Sequence, residues 1–177
     1  MSTDALQVWL DDRLVDVGEA QVSVFDHAFT VGDAVFETAK VVDRVPFAMR
    51  RHRERLRTSA RALRLPEPSD ALLCDAVDAV LAQPGVPALA RLRLTYGGGE
   101  APLGSSRGTA APRLVVAVSA LAPAAPAIEV VTAPWTRNER GATAGVKSTS
   151  YAENVVALAH AEEHGASEAL FLNTRGE

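Results

Sequence analysis

The sequence predicts a fold of mixed helices and strands in two units, and three observations carry that expectation. Apolar residues alternate at a period of two in several short runs and recur at spacings of three and four in longer ones, so strands and helices both occur. A stiff, extended segment at residues 122–127 (APAAPA) divides residues 1–121 from residues 128–177. Beyond it the pattern restarts as strand, helix, strand.

Composition narrows the class of protein. The chain has 177 residues, 47% of them hydrophobic and 23% charged, which suits a globular protein with a real core. Its net charge of −4 supplies no basic surface for nucleic acid. A single cysteine, Cys74, excludes an internal disulfide framework and a cysteine metal cluster. The opening residues MSTDALQVWLDD lack a charged and then apolar leader, and no apolar run is long enough to span a bilayer. A reducing, cytoplasmic setting is the expectation.

Val8–Leu10 and Leu14-Val15 flank a polar turn, which predicts a hairpin. Residues 21–25 alternate enough for another strand, and residues 26–33 read as a loop. Residues 34–42 (AVFETAKVV) are rich in β-branched and aromatic residues. As a strand they place Val35, Glu37, Ala39 and Val41 on one face and Phe36, Thr38, Lys40 and Val42 on the other. Polar residues on both faces fit either a strand lining a polar cavity or a half-buried strand near a sheet edge. After a turn at Asp43-Arg44 the strand returns over residues 45–49.

Residues 50–65 form a helix with the apolar stripe Leu56, Ala60, Leu63, stopped by Pro66. Ser69 caps a second helix over residues 70–83. Cys74 on it reads as a small packing residue. Residues 89–96 and 113–121 are strands, the latter a continuous apolar run and therefore central. The Gly-rich stretch between them opens no helix, so it is not a phosphate-binding loop. Strand 128–132, a polar loop at 134–143, helix 151–164 with Val155, Val156, Leu158 and Ala159 apolar, and strand 168–172 complete the chain. The second unit is too small to bury a core alone.

Two charged residues draw attention. The chain has two lysines, Lys40 and Lys147, against 16 arginines. Lysine is required only where a compact amine that can lose its proton matters, as in Schiff-base chemistry. Otherwise Lys147 is a solvated loop charge. Arg55 shares a helix face with His52, Leu56, Ser59 and Leu63. On a buried face it needs an anionic partner, either a ligand phosphate or a carboxylate, unless it snorkels at the rim.

Four motifs occur in one order: 26–29 (DHAF) with 32–38 (GDAVFET), 52–56 (HRERL) with Ser59-Ala60, 146–148 (VKS) with Tyr151 and Asn154, and Gly165 followed by 168–170 (EAL). Together they resemble the class IV pyridoxal-phosphate aminotransferase family, which includes branched-chain and D-amino-acid aminotransferases and aminodeoxychorismate lyases. The resemblance implies an α+β N-terminal domain, a linker, and the first part of an α/β pseudo-barrel C-terminal domain, with pyridoxal 5'-phosphate between the domains of a homodimer. Lys147 matches the lysine that joins the cofactor as a Schiff base and then moves the substrate's α-proton, and both roles need a neutral amine. Arg55 matches the arginine that binds the cofactor phosphate, and Tyr151 the tyrosine that hydrogen-bonds the ring's phenolic oxygen. Glu37 and Lys40 lie on the strand that would face the substrate.

The resemblance also places the glutamate that pairs with the cofactor's ring nitrogen beyond Glu177, so the expectation is a truncated chain that binds the cofactor weakly. Phe36-Glu37-Thr38 looks like the lyase and D-amino-acid branches, since a glycine usually follows the glutamate in the branched-chain branch. The 97–108 loop lacks the Arg-x-His of the D-amino-acid enzymes. Elimination favours an aminodeoxychorismate lyase, with an aminotransferase next and a non-catalytic dimerising fragment as the alternative of another kind.

Overall fold

The computed structural model describes residues 7–177. Residues 1–6 of the segment read above as having no leader lie outside the described part. Two compact units form. The first runs to Pro123 and includes Lys147–Thr149; the second comprises Ala124–Val146 and Ser150–Glu177.

The first unit is an antiparallel six-stranded sheet with two helices on one face. Its strands are β1 (Gln7–Leu10), β2 (Arg13–Val15), β3 (Ala34–Val42), β4 (Val45–Pro46), β5 (Leu89–Gly97) and β6 (Arg113–Ala120), in the order β2-β1-β6-β5-β3-β4. A one-turn helix α1 (His27–Thr30) precedes β3, and α2 (Met49–Ala62) and α3 (Asp70–Ala82) lie between β4 and β5. Asp43 and Arg44 both have positive φ, the geometry of a tight two-residue hairpin between β3 and β4. The hydroxyl of Ser69 accepts from the Leu72 amide and starts α3 as expected.

Register places Ala39, Leu92 and Val118 across one face of the sheet, with Glu37, Leu94 and Val116 beside them. That face is buried against Leu56 and Ala60 of α2 and Leu73, Val77 and Val80 of α3. The opposite face carries Phe36, Thr38 and Lys40 beside Thr95, Arg93 and Arg91. β6 is central, but it buries only alternate residues, because helices cover a single face.

Several sequence-based expectations are corrected. Residues 21–25 form no strand: no neighbour offers a ladder, and Val22, Val24 and Phe25 stay exposed. Within 26–33 the Asp26 carboxylate accepts from the Ala28 amide and nucleates α1. The return strand shortens to Val45–Pro46, since Ala48 turns left-handed and Met49 starts α2.

The second unit is a β-α-β arrangement: β7 (Val130–Arg137), α4 (Ala152–Glu163) and β8 (Glu168–Asn173), with the two strands parallel. β7 extends into the first part of the segment expected to be a loop, to Arg137, across an irregularity between Thr132 and Thr136, and residues 138–143 remain a loop. α4 buries Ala157 and Ala161, not the larger apolar side chains; Val155, Val156 and Leu158 are exposed. Small side chains allow a close approach to the strands. Among the described residues no helix is long and apolar enough to cross a membrane.

Candidate active site

The site grows from the outer edge of β3. β4 covers only its C-terminal end, pairing with Val41 and Val42. The N-terminal end is taken by residues 147–149. The Phe36 amide donates to the Lys147 carbonyl (2.9 Å), the Thr149 amide donates to the Ala34 carbonyl (2.8 Å), and Ser148 bridges Val35. The Thr149 hydroxyl donates to the Gly32 carbonyl (3.1 Å). A segment far along the chain is thus held as a short edge strand. Since side chains alternate, Ser148 joins the helix-covered face and Lys147 the face of Phe36. Lys147 is half-buried, with its Nζ 4.1 Å from the centre of the Phe36 ring. Arg93 lies over the same ring at 3.9 Å.

On the helix-covered face stands a charge cluster. Glu37 is fully buried on an otherwise apolar strand face. Arg55 of α2 grips it bidentately, Nε to Oε1 at 2.5 Å and Nη2 to Oε2 at 2.7 Å. Nδ1 of His52 lies 2.7 Å from Oε2. A carboxylate accepts there, so Nδ1 carries the proton. Burial pushes the Glu37 carboxyl up, but the bonds from Arg55 and His52 outweigh it and hold the group below the usual carboxylate range. The Glu37 contact likewise raises Arg55. One turn further along α2, the Ser59 hydroxyl lies 3.4 Å from the Lys147 amide, which donates to it. The face holding Arg55 therefore also holds the backbone of Lys147.

Arg55 corrects one expectation. Its side chain is 56% exposed, not laid along the buried side, and its anionic partner in the protein is Glu37. The long stem carries the guanidinium from the helix rim to the edge of β3. Of its five N–H groups the Glu37 pair takes two, which leaves three for a further acceptor. The pair fixes the fork while keeping it open to solvent. Those spare donors and a half-buried amine on an edge strand fit a phosphate-bearing aldehyde cofactor.

Arg55 and Lys147 both belong to the first unit. Tyr151 belongs to the second, where it stands at the N-cap position of α4 without a side-chain capping bond and is 40% exposed. It borders a cleft with Asn154, Leu158 and Phe171. Lys40 lies exposed towards the far end of β3. His52, Ser59 and Phe36 were not singled out from the sequence as functional. The available signal was a lone glutamate on an apolar strand face, followed by His52, Arg55 and Ser59 at helical spacing.

A cavity of about 310 Å³ opens on the Phe36 face, bordered by Thr95, Gly97, Val115 and Thr149. Beside it Arg107 clasps the Asp33 carboxylate and donates to the carbonyls of Leu63 (2.7 Å) and Arg64 (3.0 Å). That clasp ties the 97–112 loop to the end of α2.

The amino-transferase class IV family matches residues 34–177. The chain belongs to that family. Its members are enzymes that use pyridoxal phosphate. A bifunctional aminodeoxychorismate lyase / D-amino acid transaminase of Mycobacterium tuberculosis is 33% identical over 96% of this chain and 61% of its own length. A fold IV-transaminase from Curtobacterium pusillum superposes with a TM-score of 0.83 at 29% identity, over 97% of this chain and 64% of that one. A hypothetical aminotransferase from M. tuberculosis, solved in a pyridoxal-phosphate-bound form, gives 0.82 at 30% identity over 96% and 63%. The chain spans under two thirds of each relative's length. The α+β first unit and the β-α-β start of the second agree with this fold.

Proposed function

We propose that the protein is a pyridoxal-phosphate enzyme acting on an amino-acid-like substrate, best described as a 4-amino-4-deoxychorismate lyase that releases 4-aminobenzoate and pyruvate. The observation that carries the proposal is the placement of Lys147 on the edge of β3, with Arg55 held by a buried carboxylate on the neighbouring helix. Lys147 would hold the cofactor covalently through Nζ, Arg55 would take its phosphate, and Tyr151 would bond its phenolic oxygen. When bound, the cofactor supplies an electron sink for charge left on the substrate's α-carbon.

The chain's own residues prepare that chemistry. The amide bonds at Phe36 and Thr149 fix the Lys147 backbone, so its amine is presented with little loss of orientation. With the cofactor bound, the Lys147 amine would take the substrate's α-proton, and in the lyase reaction a proton would pass to the departing enolpyruvyl group as it becomes pyruvate. The Phe36 ring shields one side of the amine from water. Glu37 orients Arg55 and neutralises part of its charge. Residues 1–121, a linker at 122–127 and the cofactor-binding part from 128 make up the division in this reading. A homodimer and a cytoplasmic setting belong to it as well.

The lyase is favoured because the M. tuberculosis relative named for that activity aligns along 96% of the chain. The same relative is also named a D-amino acid transaminase, and the C. pusillum structure is a transaminase, so an aminotransferase is the second reading. The test supplies the cofactor-loaded protein with aminodeoxychorismate and, separately, with amino-acid/2-oxo-acid pairs. 4-Aminobenzoate and pyruvate, absent with Lys147→Ala, support the lyase. A new amino acid alone overturns it in favour of the transaminase. No product from either, in a protein that stays colourless with cofactor, would mean a non-catalytic dimerising module.

A further inference from the structure

The C-terminal end of α4 carries three metal-ligating side chains that the proposed activity leaves unused. His160, Glu163 and His164 each present a ligand atom within 4.8 Å of the other two. Residues three and four apart share a helix face, so the spacing itself brings them together. Two imidazoles and a carboxylate suit a borderline divalent ion such as Zn²⁺, whereas Mg²⁺ and Ca²⁺ prefer oxygen ligands throughout.

Three further contacts prepare the cluster. Nδ1 of His164 donates to the His160 carbonyl (2.7 Å). That bond fixes the tautomer, so in the neutral ring Nε2 presents the lone pair a metal takes. The His160 ring stands edge-on to Trp135 of β7, with centroids 5.6 Å apart, and tilts against His164 at 4.1 Å. The helix C-terminus also favours positive charge. Capping the last carbonyls would need His164 alone and leaves His160 and Glu163 unexplained.

From this geometry we infer a peripheral transition-metal site of His160, Glu163 and His164, which fastens the last turn of α4. Two metal–ligand bonds of about 2.0–2.1 Å at a tetrahedral centre separate their ligand atoms by roughly 3.3 Å. Glu163 is exposed, so its side chain can close in on the two imidazoles by a rotamer change while His164 keeps its bond to the His160 carbonyl. Water completes the coordination. The ligands come from the last turn of α4 and its C-cap residue, His164, in the second unit.

Titration calorimetry with Zn²⁺ on the full chain tests the site, and Cu²⁺ quenching of Trp135 in a Trp9→Phe background gives a second readout. One equivalent of Zn²⁺ should bind and raise the unfolding midpoint. His160→Ala and His164→Ala should each weaken binding by at least about tenfold and abolish the quench. Glu163→Gln replaces an exposed side chain; it should weaken Zn²⁺ binding and leave the metal-free midpoint unchanged. Cys74→Ala should change neither. Undiminished binding in the histidine variants, loss of binding in Cys74→Ala, or no saturable Zn²⁺ binding would overturn the inference.

Discussion

The two units bury different kinds of side chain. The first packs leucines and valines from three strands against two helices; Leu56, Leu73, Leu92, Leu94 and Val116 are fully enclosed. The second encloses alanines, Ala133, Ala157, Ala161 and Ala166, while Val155, Val156, Leu158 and Leu170 are exposed. Burial is worth about 25 cal/mol per Å² of apolar surface, so large side chains stabilise the first unit far more per residue. Lys147 is attached to this well-filled unit, although it follows β7 in the chain. The lesson is that Lys147, the lysine proposed to hold the cofactor, is held by the well-filled unit through backbone bonds at the edge of β3. Tyr151, Trp135 and the histidines of α4 sit on the thinner one.

Truncations break this contrast most severely. Leu56→Ala removes a fully buried side chain between α2 and β3 and should cost about 3 kcal/mol, read by denaturant unfolding. Arg55→Ala strands the buried Glu37 carboxylate with His52 alone. Because Arg55 is half exposed, the cost should be about 2 kcal/mol, below that of a fully buried pair. Cofactor affinity should fall with it, measured by fluorescence titration.

A pH series sharpens the same comparison. Glu37 has a depressed folded-state pKa, so its contribution is complete above the ordinary carboxylate value of 4.5. It is lost as pH falls below that value and through the folded-state pKa. Unfolding midpoints of the native protein should therefore drop faster with acid than those of Glu37→Gln. At the small end, Val155→Ala on the exposed side of α4 should change stability by less than about 0.5 kcal/mol. A cost as large as that of Leu56→Ala would erase the distinction between the units.

Local patterns made much of this legible. β3, α2, α3 and β5 follow from alternation, helical spacing, Ser69 and Pro66, because each is dictated by neighbours in the chain. Residues 21–25 alternate equally well but have no partner strand, and pairing is a long-range property that local alternation does not report. The apolar residues of α4 read from the sequence, Val155, Val156 and Leu158, do not mark its buried face, since close packing here selects Ala157 and Ala161. In the site, Lys147 and Arg55 stood out by rarity and helix face. The docking of 147–149 beside β3 did not, since it joins residues over a hundred positions apart. Nor did the Glu37–Arg55–His52 cluster, which needs strand and helix set against each other.

The central claim is that the first unit presents Lys147 as the amine that holds the cofactor. The protein is incubated with pyridoxal phosphate, reduced with borohydride and digested, and the labelled lysine is identified by mass. Two lysines and the N-terminal amine are the only primary amines in the chain, and their peptides differ in mass. The label is expected on Lys147 and absent from Lys40, and Arg55→Ala should lower its yield. Labelling at Lys40, or none at Lys147 under conditions that saturate the native protein, would contradict the claim.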